Sequence, residues 1–146
     1  MNRLNTEPNF VTPGQRHRQA YTPGDGEYLY RKHPGVVTQR ELEEALAGGP
    51  ALAGSTVMIQ CVGSRNDDHP YCSRICCGVA VKNALKIKEQ DPHARVTVLF
   101  RDVRTYGFQE EQYELARRQG VVFLEYSAEK PPQVSAADGR LQVQVD

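Results

Sequence analysis

The middle of the chain alternates between segments with strand character and segments with helix character, and this alternation constrains the fold most. Apolar runs at residues 55–62, 95–101 and 121–126 predict three strands. Amphipathic segments at residues 73–90 and 109–119 predict the two helices between them. Because strands joined through a helix run parallel with right-handed crossovers, the pattern predicts an α/β fold with a small parallel sheet.

The flanking segments predict one further helix, a C-terminal hairpin and an irregular arm. Thr38 and Glu41 form a capping-box pattern that starts a helix ending before Gly48-Gly49. Apolar residues around the turn at residues 137–139 predict a β-hairpin. Residues 1–35 contain four prolines and four glycines without a sustained period, which predicts an irregular, partner-contacting arm. We therefore expect an arm over residues 1–35 and an α/β domain over residues 36–146.

Composition and missing motifs exclude several classes of function. The 18 basic and 18 acidic residues balance, which argues against a nucleic-acid-binding protein. No apolar run approaches the ~18 residues of a membrane span, and residues 1–10 lack the apolar centre of a secretory signal. The chain has no GxGxxG, P-loop or HExxH motif and no Ser/His/Asp arrangement. We expect a cytoplasmic protein without membrane insertion and without catalytic residues of its own.

Four cysteines, Cys61, Cys72, Cys76 and Cys77, fall within one short stretch. Cys61 ends the first predicted strand of the sheet, and the other three lie at the start of the following helix. Ligands of open α/β sheets bind at the carboxyl ends of strands, and a helix N-terminus favours thiolates. In a reducing compartment, four clustered thiols are more often metal ligands or redox groups than disulfides.

The spacing of these cysteines leaves three interpretations open. A [4Fe–4S] cluster takes four thiolates and is wide enough for the adjacent Cys76 and Cys77, with Arg65 and Arg74 offsetting its charge. A zinc site also uses four cysteines, but usually as two closely spaced pairs. Without a metal, these are buried thiols or a vicinal dithiol at Cys76 and Cys77. A [4Fe–4S] cluster at these cysteines predicts an electron relay. Zinc or inert thiols predict a structural scaffold subunit, and a vicinal dithiol predicts a thiol redox protein.

Several stretches resemble the A subunit of heterodisulfide reductase, which represents a family of iron–sulfur flavoproteins from methanogens and anaerobic bacteria. The resemblance is carried by VMIQCVGSR at residues 57–65, YCSRICC at residues 71–77 and AVKNAL at residues 80–85. It extends over about residues 27–128, including matches at 101–107, 111–117 and 120–123.

The resemblance implies that the segment belongs to a thioredoxin-reductase-like module. It further implies that Cys61, Cys72, Cys76 and Cys77 bind one [4Fe–4S] cluster near a FAD. Family members relay electrons between a flavin and partner subunits that reduce disulfides, quinones or other acceptors.

The chain also departs from the family. Its members are usually several times longer, with a GxGxxG FAD domain and ferredoxin-type cysteine runs that this sequence does not contain. FAD binding is therefore expected only together with a missing domain or a partner chain. We expect a subunit or fragment of a heterodisulfide-reductase-like complex, with flavoprotein and iron–sulfur subunits as partners and no substrate turnover by itself.

Overall fold

The computed structural model describes residues 2–4, 8–13, 24–49, 54–72 and 74–146. Its three described helices are α1 (Gln39–Ala47), α2 (Cys76–Gln90) and α3 (Phe108–Arg118), and a 3-10 turn spans Glu27–Leu29. The described strands are β1 (Asn2–Leu4), β2 (Pro8–Pro13), β3 (Ser55–Ile59), β4 (Arg95–Phe100), β5 (Val122–Glu125), β6 (Gln133–Ala137) and β7 (Arg140–Val145).

A parallel sheet with the strand order β2-β3-β4-β5 forms the centre of the fold. Helix α2 connects β3 to β4, and α3 connects β4 to β5, so the predicted parallel α/β architecture is confirmed. Every residue of β3 is buried, as is typical of a parallel strand covered on both faces. Strand β3 ends at Ile59, three residues before its predicted end, because Cys61 adopts a positive φ of 62°.

A second, antiparallel sheet has the order β1-β7-β6. Its β6-β7 hairpin turns at Asp138 and Gly139, which both have positive φ as this kind of tight turn requires, and confirms the predicted C-terminal hairpin. Strands β1 and β2 lie in the segment for which the sequence predicts an irregular arm. The remaining residues of that arm before residue 24 lie outside the described residues.

The hydrophobic core lies on both faces of the parallel sheet. On one face, Met58 and Val98 pack with residues of all three helices, including Ala80 and Ala84 of α2. On the other face, a second cluster joins the parallel sheet to the antiparallel one, and it includes Val57, Ile59, Leu99, Leu141 and Val143. The parallel sheet is therefore the middle layer between the helices and the antiparallel sheet.

Local hydrogen bonds and backbone conformation set where α1 and α2 begin. Thr38 Oγ1 accepts from the Glu41 N–H (3.2 Å) and the Glu41 carboxylate accepts from the Thr38 N–H (2.6 Å), so the predicted capping box is confirmed. Helix α2 begins at Cys76, three residues after its predicted start, because Arg74 has a positive φ of 61°. Ser73, where the sequence predicts that start, lies outside the described residues.

No described helix combines the length and the apolar character that crossing a membrane would need.

Candidate metal centre

The four cysteines lie around the carboxyl end of strand β3. Cys61 follows β3, Cys72 lies on the connecting loop, and Cys76 and Cys77 occupy the first turn of α2. None of the four is in a disulfide bond. Cys76 and Cys77 are only 5% and 6% exposed, whereas Cys61 and Cys72 are partly exposed. Two buried thiols and two accessible ones therefore border the same edge of the sheet.

The loop that carries the site has an unusual backbone. Cys61, Gly63, Arg65 and Arg74 all have positive φ, between 56° and 70°. For residues other than glycine, this conformation costs roughly 1–2 kcal/mol each. Such strain persists only where the surrounding structure enforces it, and it is concentrated at functional sites.

The thiols interact with one another through hydrogen bonding and charge. A hydrogen bond with Cys76 is the main reason why the pKa of Cys77 falls from 9.0 to about 7, against the opposing effects of burial, Cys61 and Cys72. Burial, followed by the neighbouring Cys76, raises the pKa of Cys61. Because Cys77 interacts with all three other thiols, the four predicted site residues form one electrostatic group.

Backbone groups also contact the sulfur atoms. The Arg74 N–H donates to Cys72 Sγ at 3.3 Å, and the Cys77 S–H donates to the Asp102 carbonyl at 3.7 Å. The first contact comes from the loop that leads into α2, and the second reaches across to the end of β4. The site is thus held from two neighbouring strands of the sheet.

Two guanidinium groups, those of Arg65 and Arg104, lie near the thiols. Arg65 lies beside Cys61 and partly offsets the rise in the pKa of that thiol. Arg65 Nη2 (2.8 Å) and Arg104 Nη2 (3.3 Å) both pair with Asp102 Oδ2, and the two arginines, Arg65 first, lower the pKa of that carboxyl. Arg104 also interacts electrostatically with Cys72. This network places positive charge beside the cysteines, where it favours thiolates.

Gln60, Arg104 and Tyr126 also contribute to this site, although their residue types alone do not indicate it. Gln60 is fully buried directly before Cys61, and its carbonyl accepts a hydrogen bond from the Tyr126 hydroxyl. Burial is the main cause of the raised pKa of Tyr126, which keeps this hydroxyl protonated as a donor. Arg104 and Tyr126 lie just after β4 and β5, at the same sheet edge as Cys61, and this position is the signal that the sequence carries for them.

A polar cavity of about 670 Å³ opens beside Cys61. Its lining includes Tyr28, Arg65, Arg101 and Tyr126. Arg101 Nη1 donates to the Arg65 carbonyl at 2.7 Å and so braces the stretch of the cysteine loop that lines the cavity. The cavity gives a second molecule or domain a route to the side of Cys61.

Four cysteines are the donor set that an iron–sulfur cluster takes. Within the part of the chain that the structure describes, no three Cys, His, Asp or Glu side chains converge as one metal ion would require. Thiolates on one tetrahedral zinc ion lie about 3.8 Å apart, given a Zn–S distance of about 2.3 Å. In a [4Fe–4S] cluster each thiolate binds a different iron, so the sulfur atoms lie further apart. Four cysteine thiols outside any disulfide, with Arg65 and Arg104 nearby, are the type of donor that such a cluster takes.

Comparison with known proteins gives consistent matches. The chain is 39% identical over 113 residues to the A subunit of the ferredoxin/F420H2-dependent CoB-CoM heterodisulfide reductase of Methanosarcina acetivorans, covering 67% of this chain and 14% of that protein. It is 40% identical over 114 residues to the A subunit of the H2/formate:CoB-CoM heterodisulfide,ferredoxin reductase of Methanococcus maripaludis (67% and 17%). The same identity, length and coverage apply to the iron-sulfur A subunit of the CoB–CoM heterodisulfide reductase of Methanocaldococcus jannaschii.

The matched region is a small part of these relatives, since the chain spans less than a fifth of their length. No family model matches the chain. The alignments nevertheless cover about two thirds of the chain at 38–40% identity in several methanogens. The chain is therefore homologous to one segment of the A subunit of heterodisulfide reductase.

Proposed function

We propose that the chain binds one [4Fe–4S] cluster through Cys61, Cys72, Cys76 and Cys77. In this proposal it relays single electrons within a heterodisulfide-reductase-like oxidoreductase complex. The observation that carries the proposal is the gathering of four interacting thiols, none in a disulfide, at the carboxyl edge of a parallel sheet, beside Arg65 and Arg104. The Methanocaldococcus jannaschii relative is named as an iron-sulfur subunit, which supports the proposal.

Each part of the site has a separate role in this proposal. The bound cluster supplies a centre that accepts and releases one electron at a time. The buried Cys76 and Cys77 keep water away from one side, and the Arg74 N–H holds the Cys72 sulfur. Arg65 and Arg104, fixed by Asp102, stabilise negative charge at the thiolates. Such surrounding groups orient metal ligands and tune the centre that they hold.

Electrons would enter or leave on the side of the partly exposed Cys61 and Cys72. We propose that the cavity beside Cys61 faces a FAD carried by another domain or by a partner chain. The arginines of its lining, Arg65 and Arg101, suit a negatively charged cofactor. The proposed partners are the flavoprotein and iron–sulfur subunits of the complex, in the cytoplasm of an anaerobic organism. The chain alone would turn over no substrate.

One observation favours a second candidate function, that of a vicinal-dithiol redox protein. Cys76 and Cys77 are adjacent and hydrogen-bonded, and the pKa of Cys77 is lowered to about 7. A thiol whose pKa lies near ambient pH is well suited to attack a disulfide. The two functions differ in whether iron occupies the thiols.

Visible absorption of protein purified without oxygen separates the two functions. The cluster predicts a brown protein that bleaches on chemical reduction and loses its colour in Cys72→Ser and Cys77→Ser. His69→Ala is the matched control, because His69 lies on the same loop and should leave the colour unchanged. A colourless protein whose four thiols all react with a thiol reagent would contradict the proposal and favour the dithiol.

A further inference from the structure

We infer that Gln60 donates hydrogen bonds to the sulfur atoms of the cysteine site and thereby makes the bound cluster easier to reduce. The inference deepens the proposed function and rests on it, because it concerns the cluster proposed at Cys61, Cys72, Cys76 and Cys77. It assigns a role to a residue whose side chain the fold alone does not explain.

Gln60 continues strand β3 toward the cysteines. Its N–H donates to the Leu99 carbonyl of β4 at 2.9 Å, so the parallel pairing extends one residue past Ile59. Side chains alternate along a strand, which places Gln60 on the same face as Met58. Met58 packs with residues of α2, including Ala80 and Ala84.

The topology brings this face to the first turn of α2. Strand β3 leads into α2 through the cysteine loop, so the start of the helix lies over the carboxyl end of the strand. Gln60 lies two residues beyond Met58, toward the carboxyl end of β3. Cys76 and Cys77 form the first turn of α2. Alternation therefore puts Gln60 on the helix-facing side of the sheet, directly before Cys61 and at the end of β3 from which the loop to α2 departs.

The side-chain amide of Gln60 is completely buried and has no partner among the described residues. Gln60 is 0% exposed, and neither Nε2 nor Oε1 has a hydrogen-bond partner in that part of the chain. Its backbone N–H and carbonyl both form hydrogen bonds, so only the side chain lacks hydrogen-bond partners. Most buried polar groups in proteins are paired, and each exception calls for an explanation, such as an absent ion.

A second buried amide in the same core shows the usual arrangement. Asn83 Nδ2 donates to Gln39 Oε1 at 2.8 Å, which satisfies a buried amide group between α1 and α2. The described residues supply no such partner to Gln60. The chemistry that matches the –NH2 group of Gln60 is a hydrogen-bond acceptor that the described residues do not supply.

Cluster sulfides and cysteine thiolates are such acceptors. Reduction adds negative charge to the centre, so a hydrogen bond to its sulfur atoms stabilises the reduced state more than the oxidised state. Hydrogen bonds to the sulfur atoms are among the features that set the potentials of iron–sulfur clusters. A donor at Gln60 therefore raises the reduction potential.

The test compares two apolar replacements, Gln60→Leu and Gln60→Met, with a matched control in the full chain purified without oxygen. Ser55→Ala is the control, because Ser55 Oγ is also buried and unpartnered among the described residues but lies at the other end of β3. The midpoint potential is measured by a redox titration followed by electron paramagnetic resonance. We expect both replacements to lower the equilibrium constant for reduction about tenfold, which is about 59 mV for one electron. Ser55→Ala should leave it unchanged.

The outcomes separate this inference from the proposed function. A normal cluster in Gln60→Leu with an unchanged potential would overturn the inference and leave the proposed function standing. Wild-type protein without iron and sulfide would overturn both. Thermal unfolding of the metal-free chain gives a second readout if a variant binds iron poorly. Removing an unpaired buried amide should raise the melting temperature. A lowered melting temperature would mean that the amide is already paired, against the inference.

Discussion

The hydroxyl of Tyr126 connects β5 to the residue that precedes the first cysteine, and its removal has a calculable effect. In Tyr126→Phe the ring remains, but the fully buried Gln60 carbonyl loses its side-chain donor. A buried polar group left without its partner costs roughly 1–3 kcal/mol. Because 1 kcal/mol shifts the melting temperature of a domain of about 150 residues by about 2–4 °C, a loss of about 2 kcal/mol predicts a decrease of about 4–8 °C. Thermal unfolding of the metal-free protein, followed by circular dichroism, measures it.

The control and the pH dependence make this prediction specific. Tyr106→Phe, at a position that is 56% exposed, should change stability by less than about 0.5 kcal/mol. Burial raises the pKa of Tyr126 above the ordinary 10.0, so only the unfolded chain ionises this hydroxyl just above pH 10. The stabilising effect of Tyr126 is thus fully present below pH 10 and decreases as the pH rises further. Equal stability of Tyr126→Phe and wild type at pH 7 would refute the reasoning.

Three further predictions concern the thiols, the core and a helix start. In the metal-free protein, the part of the thiolate absorbance that Cys77→Ser removes should titrate near pH 7. Because the pKa of Cys77 is lowered from 9.0, the stability that its thiolate contributes is lost as the pH falls through 7. A titration midpoint near 9 would contradict this prediction. Asn83→Ala breaks the buried bond to Gln39 and should lower the free energy of unfolding in urea by about 1–3 kcal/mol. Lys82→Ala is the control, because it removes an exposed ion pair and should lower the free energy of unfolding by less than about 1 kcal/mol. Equal losses in Asn83→Ala and Lys82→Ala would argue against the buried bond. Thr38→Ala should cost about 1 kcal/mol in thermal unfolding, whereas Thr38→Ser should cost little.

The central architecture could be predicted because its signals are local. Apolar runs and amphipathic segments gave the order from β3 to β5, and the capping box at Thr38 gave the start of α1. The limits of the cysteine loop could not be predicted. Cys61 and Arg74 take positive φ although neither is glycine, and tertiary contacts rather than local preference hold such conformations.

Strand β2 shows a different reason for a missed element. Its ends are Pro8 and Pro13, and proline argues against a strand when the sequence is considered alone. The strand lies at the edge of the sheet, where proline is tolerated, and it pairs with the distant β3. That pairing depends on residues more than forty positions away, which no local pattern reports.

Only part of the site could be predicted from the sequence, for the same reason. The positions of Cys61, Cys76 and Cys77 at a strand end and a helix start follow from the predicted elements. The hydrogen bond from Tyr126 to Gln60 and the shared contact of Arg65 and Arg104 with Asp102 join separate loops. These contacts depend on how the strands stack side by side in three dimensions.

The most direct test of the proposed cluster is a count of iron, acid-labile sulfide and zinc per chain in protein purified without oxygen. The account predicts about four iron and about four sulfide per chain, with both lost in Cys76→Ser and Cys77→Ser. One zinc per chain, or no metal with all four thiols titratable, would contradict it.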